Sequence, residues 1–198
     1  WLNADDVFFD LGACEGRFSV YSGSKRIRTY SFEPDCYNFS VLEENVRING
    51  LEDIVFPLKY AISDVNKELF LLKNQPFEGG HLKVLENGER VEHFVDCLEK
   101  ELVKAVRLDD FLKDNNVPSP TALKVDVDGN ELNFVEGAIE TLKNVKNLHI
   151  ELTVHNKDIL IEKLGNLNFK VKEIYRIRNL DEGTYYDGLW NYWFTNVS

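Results

Sequence analysis

Two acids in this chain stand where apolar runs give way to turns. Val7-Phe-Phe-Asp10-Leu-Gly12-Ala-Cys-Glu-Gly16 reaches a carboxylate and then a loop bearing two glycines, and Tyr30-Ser-Phe-Glu33-Pro34 ends on a glutamate. Gly12 and Gly16 carry no Cβ and allow a ligand to approach the backbone closely. A helix that begins after Gly16 offers free N–H groups at its start. Glu33 can accept hydrogen bonds from both hydroxyls of a ribose, and bonds to a charged group contribute roughly 1.5–3 kcal/mol each. The pattern predicts a nucleotide-type crevice at the carboxyl ends of parallel strands, with Asp10 and Glu33 facing one shared cavity.

The glycine spacing selects among nucleotides. A dinucleotide fingerprint needs Gly-x-Gly-x-x-Gly so that pyrophosphate can rest on the helix N-terminus. Here the loop has two glycines, an acid before it at Asp10 and another within it at Glu15. Carboxylates repel pyrophosphate and suit a ligand with an ammonium group and a positive sulfur. S-adenosylmethionine fits better than NAD, which leaves an NAD-dependent oxidoreductase as the alternative.

The elements that must position these residues follow from the hydrophobic pattern. Strands are predicted at 7–11, 27–32, 54–61, 122–127, 148–152, 169–174 and 190–194, with helices at 17–23, from Pro34-Asp35 to Asn49-Gly50, 109–113, 131–142 and 159–164. Two further strands, 67–72 and one near 103–108, pair antiparallel. Residues 73–104 read as an inserted, flap-like segment that carries glycine-bearing polar stretches, His81 and a short helix near 93–101. Strands alternating with helices predict a mostly parallel sheet covered on both faces.

Composition sets the bounds. The 198 residues are sized for one domain, 1–198, with a full core. A net charge of −11 argues against a nucleic-acid partner. The basic clusters at Lys25-Arg26-Ile-Arg28 and from Lys172 to Arg178 read as a helix end and a strand face. No apolar stretch approaches the roughly 20 residues of a membrane span. Cys14, Cys36 and Cys97 lack metal or disulfide spacing and point to a reducing cytoplasm. The chain opens on Trp1 and contains no methionine, so elements preceding it are expected to lie outside this sequence.

These motifs, in this order, resemble the FkbM-type family of S-adenosylmethionine-dependent methyltransferases. The resemblance rests on Asp10-Leu-Gly-Ala-Cys-Glu-Gly-Arg-Phe-Ser19, Phe32-Glu-Pro-Asp35, Leu42 to Leu51, Ala61-Ile-Ser-Asp64 and Arg107-Leu-Asp-Asp-Phe-Leu112. It continues through Leu123-Lys-Val-Asp-Val-Asp-Gly-Asn-Glu-Leu132, Gly137-Ala and Ile150-Glu151. It covers roughly residues 5–155, and the Lys-Val-Asp-Val-Asp-Gly segment is its most specific part. The family usually has Glu where this chain has Asp128, and often an asparagine in the glycine loop where Cys14-Glu15 stands. Residues 73–104 align poorly.

The resemblance implies a Rossmann-like α/β methyltransferase fold, a mostly parallel seven-stranded sheet with the last strand antiparallel and helices on both faces. It implies O-methylation of a hydroxyl, on a small molecule or sugar. Asp10, Gly12 and Gly16 would shape the pocket for the methionine part, and Glu33 would hold the ribose. Ser63 and Asp64 would meet adenine, and Asp126 would lie beside the sulfonium methyl.

A hydroxyl acceptor also benefits from a base, a gain of about 10²–10⁴-fold. Asp126, Glu151 and His155, at the carboxyl ends of strands, are the candidates, with His81 a further one if the flap folds over. Lys124, inside a strand, is expected to form an internal ion pair with Glu131 or Glu151. Asp126, Asp128 and Glu151 together offer an oxygen set for Mg²⁺, a possibility that acids beside a sulfonium make unnecessary. The aromatics Tyr185, Tyr186, Trp190, Tyr192 and Trp193 fit sheet packing better than a cleft wall. A binding module that has lost catalysis is the other rival reading.

Overall fold

The computed structural model describes residues 2–74, 83–89, 97–175 and 190–197. Strand and helix alternate at first: β1 (Val7–Leu11), α1 (Arg17–Ser24), β2 (Arg28–Phe32), α2 (Cys36–Ile48) and β3 (Val55–Leu58). Four strands follow, β4 (Ala61–Ile62), β5 (Lys67–Lys73), β6 (Lys83–Leu85) and β7 (Glu99–Val106). The alternation resumes with α3 (Leu108–Asn115), β8 (Ala122–Val125), α4 (Glu131–Gly137), α5 (Ile139–Leu142) and β9 (Asn147–Leu152). It closes with α6 (Lys157–Asn166), β10 (Phe169–Tyr175) and β11 (Trp190–Asn196).

The main sheet has seven strands in the order β10-β11-β9-β8-β1-β2-β3, and β11 runs antiparallel to both its neighbours while the other pairs are parallel. The expected architecture is present. Chain direction across the sheet reverses between β1 and β8, which opens a crevice at their carboxyl ends.

Period-two alternation decides which face is buried. Phe9, Leu11, Tyr30, Phe32, Leu123, Val125, Leu148 and Ile150 form one core with Phe111, Phe134, Leu142, Leu160 and Leu164 from the helices. Burying each large apolar side chain contributes about 1.5–3 kcal/mol. The opposite face is small and polar where α1 crosses it: Ser19 donates to Asp10 at 2.7 Å, Ser31 donates to Ser19 at 2.8 Å, and Ser22 meets Thr29 at 2.7 Å. On β9 the alternation is complete, with Leu148, Ile150 and Leu152 buried and Asn147, His149 and Glu151 half-exposed on α1's side of the sheet.

Three elements differ from the sequence reading. Residues 54–61 are not one strand: after β3 the Tyr60 N–H bonds back to the Leu58 carbonyl at 3.0 Å, and the chain turns so that β4 joins a second, four-stranded sheet, β4-β7-β5-β6. The helix expected at 131–142 breaks at Ala138. There Asp109 of α3 accepts from the Glu140 and Thr141 N–H groups at 3.0 and 2.7 Å, satisfying a second helix start. The helix near 93–101 is absent from the described part, since residues 99–106 are β7; 90–96 lie outside the described residues, as does His81. Of the 73–104 segment, what is described belongs chiefly to the second sheet.

Two glycines mark where backbones must touch. A Cβ on Gly12 (φ +76°) would sit 1.8 Å from the Asp126 carbonyl oxygen, and one on Gly137 would sit 2.0 Å from that of Ser63. Gly12→Ala and Gly137→Ala should each cost roughly 3 kcal/mol or more in urea unfolding. Gly165→Ala, in α6 with nothing within 4 Å of the added carbon, should be neutral or stabilising by up to ~1 kcal/mol.

Candidate active site

At the reversal point, Lys124 pairs in register with Asp10 on β1 and His149 on β9. Its ammonium donates to the Gly12 carbonyl at 3.1 Å and stands 3.4 Å from Asp10 Oδ1 and 3.5 Å from Asp126 Oδ2. Burial alone would depress the lysine's pKa, but the charges of Asp10 and Asp126 overcome it and hold the pKa above the ordinary value. Burial raises the carboxyl of Asp10, with Lys124 and Ser19 opposing it. The internal pair expected of Lys124 exists, but with Asp10 and Asp126 rather than Glu131 or Glu151.

Two cavities open on either side of Asp126. The first is a narrow pocket of about 70 Å³ whose walls include Gly12, Glu33, Tyr60, Ile62, Lys83 and Asp126. Glu33 is buried, and its two oxygens accept the Cys14 N–H at 2.8 Å and the Asp35 N–H at 2.9 Å. Burial lifts this carboxyl to about 7, against the pull of the two amides and of Lys83. Lys83 in turn pairs with Asp35 at 2.9 Å.

Asp35 links the two sheets. Its Oδ1 caps α2 by accepting the Asn38 N–H at 2.8 Å, and its Oδ2 lies 2.7 Å from Lys73. Lys73, fully buried, also meets Glu99 at 2.8 Å and Glu101 at 2.7 Å. Burial works against the Lys73 charge, yet the three carboxylates keep its pKa above the ordinary value. The Asp35 carboxyl, which burial would raise, is instead held low by Lys73, Lys83 and the Asn38 amide. The second sheet thereby presents Lys83 to the pocket that holds Glu33.

The second cavity, about 220 Å³, lies on α1's side of the sheet and is walled by Phe18, Lys124, Asp126, His149, Glu151 and Asn191, with Tyr175 at its edge. His149 Nδ1 sits 2.8 Å from the Tyr175 hydroxyl, and its ring stacks on Trp193 at 5.4 Å. Burial pushes His149 down to about 4, so it is neutral at pH 7.

Glu33, Gly12 and Asp126 thus line the first pocket, and Asp126 and Glu151 line the second. Asp10 does not face the Glu33 pocket. Strand alternation turns its side chain toward α1, where Ser19 and Lys124 take it. Gly16 starts α1. Ser63 and Asp64 bond to one another and to Asn87, next to the pocket-lining Ile62 but not in the pocket wall themselves. His155 is exposed and lines neither cavity.

The strand expected at 122–127 is shorter: β8 ends at Val125, and Asp128 sits in a turn at φ 48°. Among the described residues, Asp126, Asp128 and Glu151 form no three-ligand cluster within 4.8 Å; the one that does, Asp35-Cys36-Glu101, is occupied by Lys73. Of the terminal aromatics, Tyr192 is core and Trp193 stacks on His149, while Tyr185 and Tyr186 lie outside the described residues. Lys83, His149 and Tyr175 are site residues that the sequence reading did not select. Lys83 stands in a polar segment without periodicity, whereas the period-two pattern of β9 already sets His149 and Glu151 on one face.

A parallel sheet with one antiparallel strand, and a pocketed reversal point between β1 and β8, define a Rossmann-like methyltransferase fold. The solved structure of methyltransferase FkbM from Methylobacillus flagellatus KT superposes with a TM-score of 0.61 at 15% identity, covering 97% of this chain and 44% of that one. An rRNA methylase from Streptococcus thermophilus gives 0.56 at 12% identity, covering 100% of this chain and 90% of that one. Residues 10–185 match the methyltransferase FkbM domain, and the chain belongs to that family. A curated relative, the hexuronic acid methyltransferase AglP of Haloferax volcanii, is 26% identical over 148 residues, 75% of this chain and 56% of its own length. The chain therefore spans little more than half of that relative. Among the described residues no helix is long and apolar enough to cross a membrane.

Removing the central cation tests the clamp. Lys124→Met should destabilise the fold by about 3–5 kcal/mol at pH 7, because Asp10 is left charged and buried. The deficit should shrink as pH falls toward 4, since an acid whose folded pKa is raised is least costly when protonated. Adding Asp10→Asn should recover most of the loss in urea unfolding.

Proposed function

We propose that this chain transfers a methyl group from S-adenosylmethionine to a hydroxyl oxygen on a small molecule or sugar. The observation that carries the proposal is Asp126, a half-exposed carboxylate shared by two cavities, one of which has a buried acceptor, Glu33, at the end of β2. The donor set of the first pocket suits an adenosyl group. Glu33 accepts the ribose hydroxyls, Tyr60 and Ile62 offer apolar surface for a base, and Gly12 leaves backbone within reach. Asp126 is a carboxylate for a sulfonium. Ser63 and Asp64, one turn away, would support the adenine end, and Asp10 and Gly16 would act through the loop they brace. Bound there, the cofactor supplies an electrophilic methyl carbon.

At about 70 Å³ the pocket is smaller than the roughly 300–1,000 Å³ of ligand-enclosing sites. The enclosed space therefore takes only part of the cofactor, the remainder lying at the pocket's open mouth.

The second cavity is proposed to hold the acceptor. Glu151 orients a hydroxyl, and Asp126, at the junction, takes its proton as the oxygen becomes nucleophilic. His155 lies too far out to be preferred over either. The hexuronic acid named for the Haloferax relative supports a sugar as acceptor, and no Mg²⁺ is needed for this division of roles. The three cysteines form no disulfide among the described residues and suit work in the cytoplasm.

Calorimetry with S-adenosylhomocysteine tests the reading; an absence of binding at high micromolar ligand would overturn it. Glu33→Ala should weaken binding roughly 10- to 100-fold, the loss of about 1.5–3 kcal/mol. Ionised Glu33 is the better acceptor, so affinity should rise as pH passes upward through about 7, and Glu33→Gln should flatten that dependence. Asp126→Asn should leave binding of S-adenosylhomocysteine, which has no sulfonium charge, within a few-fold and lower turnover by about 10²–10⁴-fold.

A further inference from the structure

An ionised carboxylate such as Glu33 only accepts hydrogen bonds, whereas a ribose hydroxyl both donates and accepts. A hydroxyl that gives its hydrogen to Glu33 still has lone pairs, and enclosing them without a donor forfeits a bond that water supplied. The backbone nearest Glu33 is already committed. The Gly12 and Ala13 N–H groups both go to the Phe32 carbonyl at 3.0 Å, and the Asp126 N–H goes to the Leu11 carbonyl. The Cys14 and Asp35 N–H groups bond to Glu33 itself. The Asn130 amide donates to the Ile62 carbonyl. Among the described residues lining this pocket, Lys83 is the cation.

Lys83 is 7% exposed, and its ammonium stands 2.9 Å from Asp35 Oδ1. That oxygen also accepts the Asn38 N–H at 2.8 Å, and Asp35 Oδ2 is taken by Lys73 at 2.7 Å. An ammonium carries three N–H groups, and among the described residues this one makes no directed hydrogen bond beyond its ion pair. A buried donor without an acceptor is costly, and a ligand oxygen in the pocket relieves that cost. Across the pocket stand Asp126 and Asp128 after β8 and Tyr60 after β3. The Lys83 charge also favours the ionised form of Glu33, against which burial works. We infer that Lys83 is a cofactor-binding residue, donating to a ribose oxygen whose hydrogen Glu33 accepts. The assignment rests on the methyltransferase reading above and adds to its site a residue of the second sheet, from the stretch 73–104 that aligns poorly with the family.

Calorimetry on the full chain with S-adenosylhomocysteine and its 2′-deoxy and 3′-deoxy analogues tests the assignment. Lys83→Met should weaken S-adenosylhomocysteine roughly 10-fold or more, the weight of one hydrogen bond to a charged group. For the analogue that lacks the contacted oxygen, the same substitution should cost no more than about 3-fold. A residue that merely holds β6 in place would weaken all three ligands alike, and that result would overturn the inference. Titration at pH 9 separates a direct bond from an effect on Glu33. The loss should persist there, and a loss that fades once Glu33 is ionised in both chains would equally overturn it. Should the methionine chain not fold, Lys83→Gln, which keeps a polar end for Asp35, should show a smaller loss with the same ligand dependence. The two failures are distinct. An affinity unchanged by Lys83→Met removes Lys83 from the site and leaves the methyltransferase reading standing, whereas no binding to the unaltered chain ends both.

Discussion

Lys124 lies beneath the meeting point of β1 and β8, and its charge gathers Asp10, Asp126 and the Gly12 carbonyl around one buried centre. A cation so placed costs desolvation and repays it only while its partners stay in position. The same contact fixes the turn after β8 against the glycine loop, where a Cβ on Gly12 would strike the Asp126 backbone. Asp126 becomes the shared wall of two cavities because this clamp leaves it nowhere else to go. The remaining architecture supports that wall: α1 seals the polar side of β1 and β2, and the aromatic core of Phe9, Phe32 and Phe111 stiffens the other.

The second sheet is tied on by a different buried ammonium. Lys73 joins Asp35, Glu99 and Glu101, and Asp35 at once caps α2 and pairs with Lys83. Charge pairing therefore transmits the position of β5, β6 and β7 to the pocket that contains Glu33. A hydrophobic contact would not fix that position so narrowly, because apolar packing is non-directional.

Much of this was legible in the residues. The apolar runs that end at Asp10, Glu33 and Asp126 gave the parallel strands, since a buried strand reads as a near-continuous apolar stretch. The side-chain directions at strand ends were harder. Asp10 and Glu33 end neighbouring strands, yet Asp10 turns to α1 and Glu33 to the pocket, a difference set by the register and by the Lys124 charge on the adjoining strand. Helix α4 ends early because Gly137 must approach Ser63 while Asp109 caps a new start, contacts between residues distant in sequence. Lys83 and Tyr175 carried no local signal, because their roles arise only where separate elements meet.

A crystal structure of the chain with S-adenosylhomocysteine tests the central claim, that the Asp126 turn divides a nucleotide pocket from an acceptor cavity. The ribose oxygens should lie within hydrogen-bond distance of Glu33, with the sulfur reaching the Asp126 turn and the space beside Phe18 and Glu151 left clear. Density for the adenosyl group between Phe18 and His149, with Glu33 untouched, would contradict the account.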